Sequence, residues 1–161
     1  VPSRTGLNMS PKTLLKLCEL KNIVAIKEAS GNISQIAEMK ALCRDKIDIY
    51  SGNDDQIIPI LSLGGIGVIS VLANVYPKET HDMCELYMNG KQDEALKLQL
   101  DMLPVINALF IETNPIPVKT AMNLKGMEVG ELRLPLCSME EANLNVLKSS
   151  LENYHKLSKG E

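Results

Sequence analysis

The sequence contains no tryptophan, one phenylalanine and four tyrosines in 161 residues, so any core it builds is aliphatic and methionine-filled. Basic residues show no excess: 17 Lys+Arg stand against 20 Asp+Glu, a formal net charge of −3. That balance argues against a protein that tracks nucleic-acid phosphates, which would carry a basic face. Long apolar runs are missing too. The longest candidate, around Val68–Ala73, is strand-sized and well short of the roughly 18 residues that a membrane span needs. The opening Val-Pro-Ser-Arg-Thr-Gly has neither the basic start nor the apolar stretch of a signal peptide. It also lacks an initiator methionine, and the expectation is a soluble, cytoplasmic piece of a larger polypeptide.

Metal and disulfide frameworks are equally absent from the pattern. Cys18, Cys43, Cys84 and Cys137 lie far apart and form no CxxC pair, so reduced, mostly buried thiols are expected. His81 and Cys84 have a His-x-x-Cys spacing, but no second ligand pair follows, and two residues on an ordinary helix face explain them. With only two histidines, no Ser-His-Asp or Cys-His constellation can be assembled.

What is present is a globular composition, 45% apolar and 23% charged. A chain of this length can bury about 68–70% of its unfolded surface. The first part shows a strand–helix rhythm. Ser10-Pro11 reads as an N-cap with proline at the first helical position, and Ile23–Ile26 as a strand buried on both faces. Asn32 caps a second helix, and Ile47–Tyr50 reads as the next strand, followed by Ser51-Gly52-Asn53-Asp54. A third helix covers about 55–63, and Gly64-Gly65 turns the chain into a strand over Gly67–Val71. From there the pattern is helical, with Ser138-Met139-Glu140-Glu141 as a capping box for the last helix. The expected division is 1–75, a βα array, and 76–161, a helical layer. Three parallel strands leave two unpaired sheet edges, which either a doubly wound sheet completed elsewhere or a closed barrel would cure. Periodicity alone does not choose between them.

Lys27 follows a buried strand and so sits at the carboxyl end, where α/β folds place their catalytic groups. Apolar surroundings would favour its neutral, nucleophilic amine, whereas a snorkelling surface lysine or a pair with Glu28 is the bland reading. Arg4 is one of only three arginines, and a guanidinium suits a carboxylate, though a surface loop explains its position equally well. Gly64-Gly65-Ile66-Gly67 precedes a strand and is not a dinucleotide fingerprint; tight turning and close packing account for it. Asn114-Pro115-Ile116-Pro117-Val118-Lys119 reads as a rigid helix start.

Taken in order, several strings resemble the C-terminal half of the dihydrodipicolinate synthase family, within the pyruvate-dependent class I aldolases. They are Val1–Gly6, Ile26-Lys27-Glu28-Ala29-Ser30-Gly31-Asn32, Ser51-Gly52-Asn53-Asp54, Gly64–Ser70, Asn114–Lys119 and Leu132-Arg133-Leu134-Pro135. The resemblance implies the last three strands of a (β/α)8 TIM barrel plus a C-terminal helical extension, assembled as a homo-oligomer, usually a tetramer. It makes Lys27 the catalytic lysine. Its amine condenses with pyruvate to an imine, which becomes an enamine and attacks the aldehyde of aspartate semialdehyde, on the route to diaminopimelate and lysine. By the same resemblance, Arg4 engages the aldehyde substrate's carboxylate, the Ile69 backbone contacts pyruvate and Gly52 lines the pocket. No metal or organic cofactor is implied. Sister aldolases of the sialic-acid lyase type share the lysine but typically lack the Pro-Ser-Arg string.

The family's tyrosine proton donor, its threonine relay and most of its allosteric lysine site match positions upstream of Val1. The isolated chain is therefore expected to turn over little or nothing without an N-terminal half-barrel. A catalytically silent half-barrel with a structural or partner-binding role is the non-enzymatic reading.

Overall fold

The computed structural model describes residues 1–160. These fall into two compact units, Val1–Ser70 with Asp82–Leu96, and Val71–His81 with the residues from Lys97 onward.

The first unit opens with a four-residue helix, α1 (Pro2–Thr5), and continues with α2 (Pro11–Leu17). Ser10 caps α2 by accepting from the Thr13 N–H at 3.2 Å, with Pro11 supplying a preset φ in the first turn. Two βα steps and a third strand follow: β1 (Ala25–Glu28), α3 (Ile33–Cys43), β2 (Asp48–Ser51), α4 (Ile57–Ser62) and β3 (Gly67–Val68). Asn32 caps α3 through the Gln35 N–H at 3.0 Å. The strands are parallel in the order β1-β2-β3, with Lys27 opposite Tyr50 and Tyr50 opposite Gly67. A succession that never reverses direction, with right-handed crossovers, keeps its helices on one face of the sheet.

That face is the core. Ile36, Ile49 and Ile60 form one buried cluster joined by Ile26, Ile33 and Leu63; Leu14, Met39, Cys43 and Ile47 form another, also touching Ile26. Burying a side chain such as Ile49, 1% exposed, stabilises by roughly 1.5–3 kcal/mol. Burial also pushes the Cys43 thiol up to about 11, and the neighbouring Cys18 thiol adds to the rise, so Cys43 stays protonated at neutral pH. The thiols are less uniformly buried than expected. Cys43 is buried, Cys18 and Cys84 are half-buried, and Cys137 is exposed.

Two further expectations need correction. The strand expected at Ile23–Ile26 with both faces buried starts two residues later and buries one face only. Val24 is 67% exposed and Ala25 and Lys27 are exposed, because α3 and α4 pack on the Ile26 and Ile49 side. The third strand is also shorter than Gly67–Val71, ending at Val68, although the Ile69 N–H still continues the ladder to the Ser51 carbonyl at 2.8 Å.

The second unit contains α7 (Ile116–Leu124) and α8 (Glu141–Lys159). Two helices, α5 (Pro77–Met88) and α6 (Gln92–Leu109), have residues in both units, and α6 runs through Pro104. The capping box expected at Ser138 does not form. Helix α8 starts at Glu141 with Glu140 as its N-cap and no side-chain cap of its own. A distant carboxylate does the work: Glu112 Oε1 accepts from the Glu140 N–H at 3.0 Å and from Asn143 Nδ2 at 2.9 Å. No helix among the described residues is long and apolar enough to cross a membrane.

Close packing explains one glycine of the Gly64–Gly67 string directly. A Cβ on Gly65 would sit 2.6 Å from Ile60 Cγ2, 2.8 Å from the Ile60 carbonyl oxygen and 3.1 Å from the Ile49 carbonyl oxygen. Two of these three atoms are backbone, so the clash cannot be relieved by a rotamer change. Gly65→Ala should therefore cost roughly 1–3 kcal/mol, read as a lower urea midpoint with an unchanged slope.

Candidate functional site

Side chains alternate along a strand, so the parallel register settles which residues share the face opposite the core. Ile26 and Ile49 point into the helices. One step on, Lys27, Tyr50 and Gly67 lie in a single row on the other face, with Gly52 and Ile69 two residues further along β2 and β3. This face is open: Lys27 and Asp48 are exposed, Tyr50 is half-buried and Ile69 is 48% exposed. The apolar surroundings expected for the Lys27 amine are thus not supplied by these residues.

The lysine is nevertheless closely placed. Gly52 leaves β2 with its N–H on the Glu28 carbonyl at 2.7 Å, which holds its Cα against the lysine stem. A Cβ there would lie 2.8 Å from Lys27 Cε, 3.1 Å from Lys27 Cγ and 2.8 Å from Ala29 Cβ. Gly52 therefore provides the space in which the lysine stem extends. The Ile69 N–H is committed to Ser51, so any backbone contact it makes with a bound molecule runs through its carbonyl. Arg4 is exposed on α1, a helix that buries none of its residues.

Behind the lysine, Glu28 points the opposite way. The residue is 4% exposed and its carboxylate accepts from the Ser30 N–H at 2.6 Å, so it shapes the turn after β1 rather than pairing with Lys27. The turn is tied down further by Ser30 Oγ, which accepts from the Asn32 N–H, and by Gln56 Nε2, which donates to the Gly31 carbonyl. After β2, Ser51 Oγ donates to the Asn53 carbonyl at 2.7 Å.

Two of these placements escaped sequence reasoning. Tyr50, not singled out from the sequence, stands beside Lys27, its ring 3.4 Å from where a Gly67 Cβ would be. The signal was available in parity: Lys27 and Tyr50 each precede the last residue of their strand. Glu28 drew notice only as a neighbour for Lys27. His81 and Cys84 lie one turn apart on α5, and no group of three or more potential metal ligands occurs among the described residues.

The Gly52 contact generates a test. Gly52→Ala should lower stability by roughly 1–3 kcal/mol, and adding Ala29→Gly, which removes one of the two 2.8 Å contacts, should restore part of the loss in urea denaturation. Additive losses would contradict this packing.

Comparisons with known proteins agree on one family. The model of the dihydrodipicolinate synthetase family matches residues 1–154. The chain is 79% identical over 159 residues to a 4-hydroxy-tetrahydrodipicolinate synthase of Clostridium novyi, covering 99% of this chain and 54% of that protein. Among solved structures it is similar to the 4-hydroxy-tetrahydrodipicolinate synthase of Methylacidiphilum fumariolicum SolV, with a TM-score of 0.95 and 40% identity over 99% of this chain and 54% of the other. It is also similar to the chloride-inhibited dihydrodipicolinate synthase of Acinetobacter baumannii complexed with pyruvate, at TM-score 0.92 and 34% identity over 96% and 53%. The chain spans about half the length of the relatives it matches. Its α/β fold, its motifs and its sequence place it in the dihydrodipicolinate synthetase family.

Proposed function

We propose that this chain supplies the lysine-bearing half of a Schiff-base-forming lyase that condenses pyruvate with aspartate semialdehyde in the cytoplasmic synthesis of diaminopimelate and lysine. The observation that carries this reading is the row on the uncovered face: Lys27 near the carboxyl end of β1, with a glycine clearing space for its stem. In this reading residues 1–75 are the last three β/α steps of a TIM barrel and 76–161 are its helical extension. Parallel sheets normally have both faces covered. A doubly wound sheet would do so with helices on both sides, whereas a barrel puts its helices outside and closes its other face on itself. Helix residues clustered on the Ile26 and Ile49 side, with Lys27 exposed on the other, support the barrel.

The chemistry follows from the groups present. The neutral Lys27 amine attacks the pyruvate carbonyl, water leaves, and the imine nitrogen then accepts electron density as a methyl proton is lost. The resulting enamine carbon attacks the aldehyde of the second substrate. Arg4 is assigned its carboxylate, as a bidentate guanidinium partner. Gly52 and the Ile69 carbonyl line the pyruvate side. The lysine imine serves as the electron sink, so the sequence of steps calls for no metal or organic cofactor.

An N-terminal half-barrel is the required partner in this proposal, and the completed barrels associate as a homo-oligomer. The half-barrel would supply the acid–base groups and the desolvation that an exposed Lys27 lacks. The chain alone should then show little turnover, and the completed enzyme should use aspartate semialdehyde, whereas a sister aldolase would use a sugar-derived aldehyde.

Borohydride reduction in the presence of pyruvate tests the proposal. Mixed with its complementary N-terminal half, the chain should acquire a reduced adduct on Lys27, located by peptide mass spectrometry. Lys27→Arg should abolish the adduct and lower turnover with aspartate semialdehyde by roughly 10³-fold or more. An adduct at another lysine, or undiminished turnover in Lys27→Arg, would refute the assignment.

A further inference from the structure

The second unit carries a cleft unconnected with the lysine row. It has a volume of about 820 Å³ and lies between the Val75–Glu79 turn, the end of α7 and one face of α8. Its floor is a pair of buried tyrosines, Tyr76 and Tyr154, whose rings meet edge to face with centroids 5.1 Å apart at 80°. Such a pair offers an apolar, polarisable surface.

Lys125, the residue that caps the end of α7, is drawn into this cleft. Its Nζ lies 3.7 Å from the centroid of the Tyr76 ring and donates to the Val75 carbonyl at 3.0 Å. An ammonium has three N–H donors, and a carbonyl and a ring face are both neutral partners. The charge is therefore partly desolvated and not matched by an anion in contact. Burial lowers the Lys125 pKa, with Glu79 opposing the shift, and burial raises that of Tyr76. Across the cleft, Lys148 and His155 stand two turns apart on α8. Lys78 adds a third lysine to the lining, whose acids are Glu79 and Glu152.

We infer that this cleft is a binding site for a small organic carboxylate with an aromatic or branched apolar body, its carboxylate on Lys125 and its body on the Tyr76–Tyr154 pair. The apolar body replaces water over the rings and the carboxylate supplies the charge the amine lacks. The cleft is too polar at its rim for a purely apolar ligand and too apolar at its floor for an inorganic anion. The inference does not depend on the proposed lyase activity, because every residue it uses lies in the helical unit.

The experiment is an NMR titration of the 161-residue chain with 3-phenylpropanoate and, separately, with its uncharged analogue 3-phenylpropanol. The acid should shift the Tyr76 and Tyr154 ring resonances saturably, with a Kd of about 1 mM or tighter, as a good ligand of this size can reach. The alcohol should bind at least about tenfold more weakly, the difference a charge-assisted contact makes. Lys125→Met should erase that difference and Lys125→Arg should keep it. If Lys125→Met fails to fold, Lys148→Gln on the exposed face of α8 should still weaken the acid about threefold. Equal binding of acid and alcohol, shifts confined to other residues, or a Lys125→Met chain that binds the acid undiminished would each overturn the site.

Discussion

The rest of the first unit depends on one constraint, the one-sided burial of its sheet. Ile26 and Ile49 anchor β1 and β2 to the helices, and the two-residue alternation of a strand then sends Lys27 and Tyr50 the other way. A one-residue slip of β1 would put the lysine into the Ile36–Ile60 cluster and an isoleucine on the open face, at the cost of burying an ammonium. The apolar core thus positions the candidate nucleophile without touching it. Glu28, on the core side, is tolerated there because the Ser30 N–H meets its carboxylate, and that same bond shapes the turn leading to the Asn32 cap.

Space matters as much as orientation. A glycine at position 52 leaves a gap for the Lys27 stem, and a glycine at 65 lets the turn before β3 settle on the Ile49 and Ile60 carbonyls. Both are close-approach glycines. In the proposed reading the exposed Lys27 face is one wall of the pocket.

Much of this was legible in the sequence. The N-caps at Ser10 and Asn32, the order of the three strands and the place of Lys27 near a strand end follow from local rules that tertiary context did not override. The errors arose where the competing interaction is non-local. Ser138 looked like a helix cap, but Glu112, far away in sequence, takes the N-cap N–H and lets α8 begin later. The run Ile23–Ile26 looked buried on both faces because a continuous apolar string cannot report which side its helices pack on. Tyr50 was missed because its parity with Lys27 becomes informative only once β1 and β2 are paired in register. The cleft around Lys125 was invisible for a similar reason, since α8 and the Val75–Glu79 turn are separated by some 70 residues.

The central claim is that the Lys27 face of this sheet is the inner wall of a barrel closed by a second half. Amine footprinting tests it directly: brief acylation of the chain alone and of the chain with its N-terminal half, with each lysine quantified by mass spectrometry. The account predicts that Lys27 is acylated readily in the isolated chain and is strongly protected in the complex, while exposed lysines of the helix-covered side such as Lys46 react alike in both. Equal labelling of Lys27 in the two samples, with a complex demonstrably formed, would contradict it.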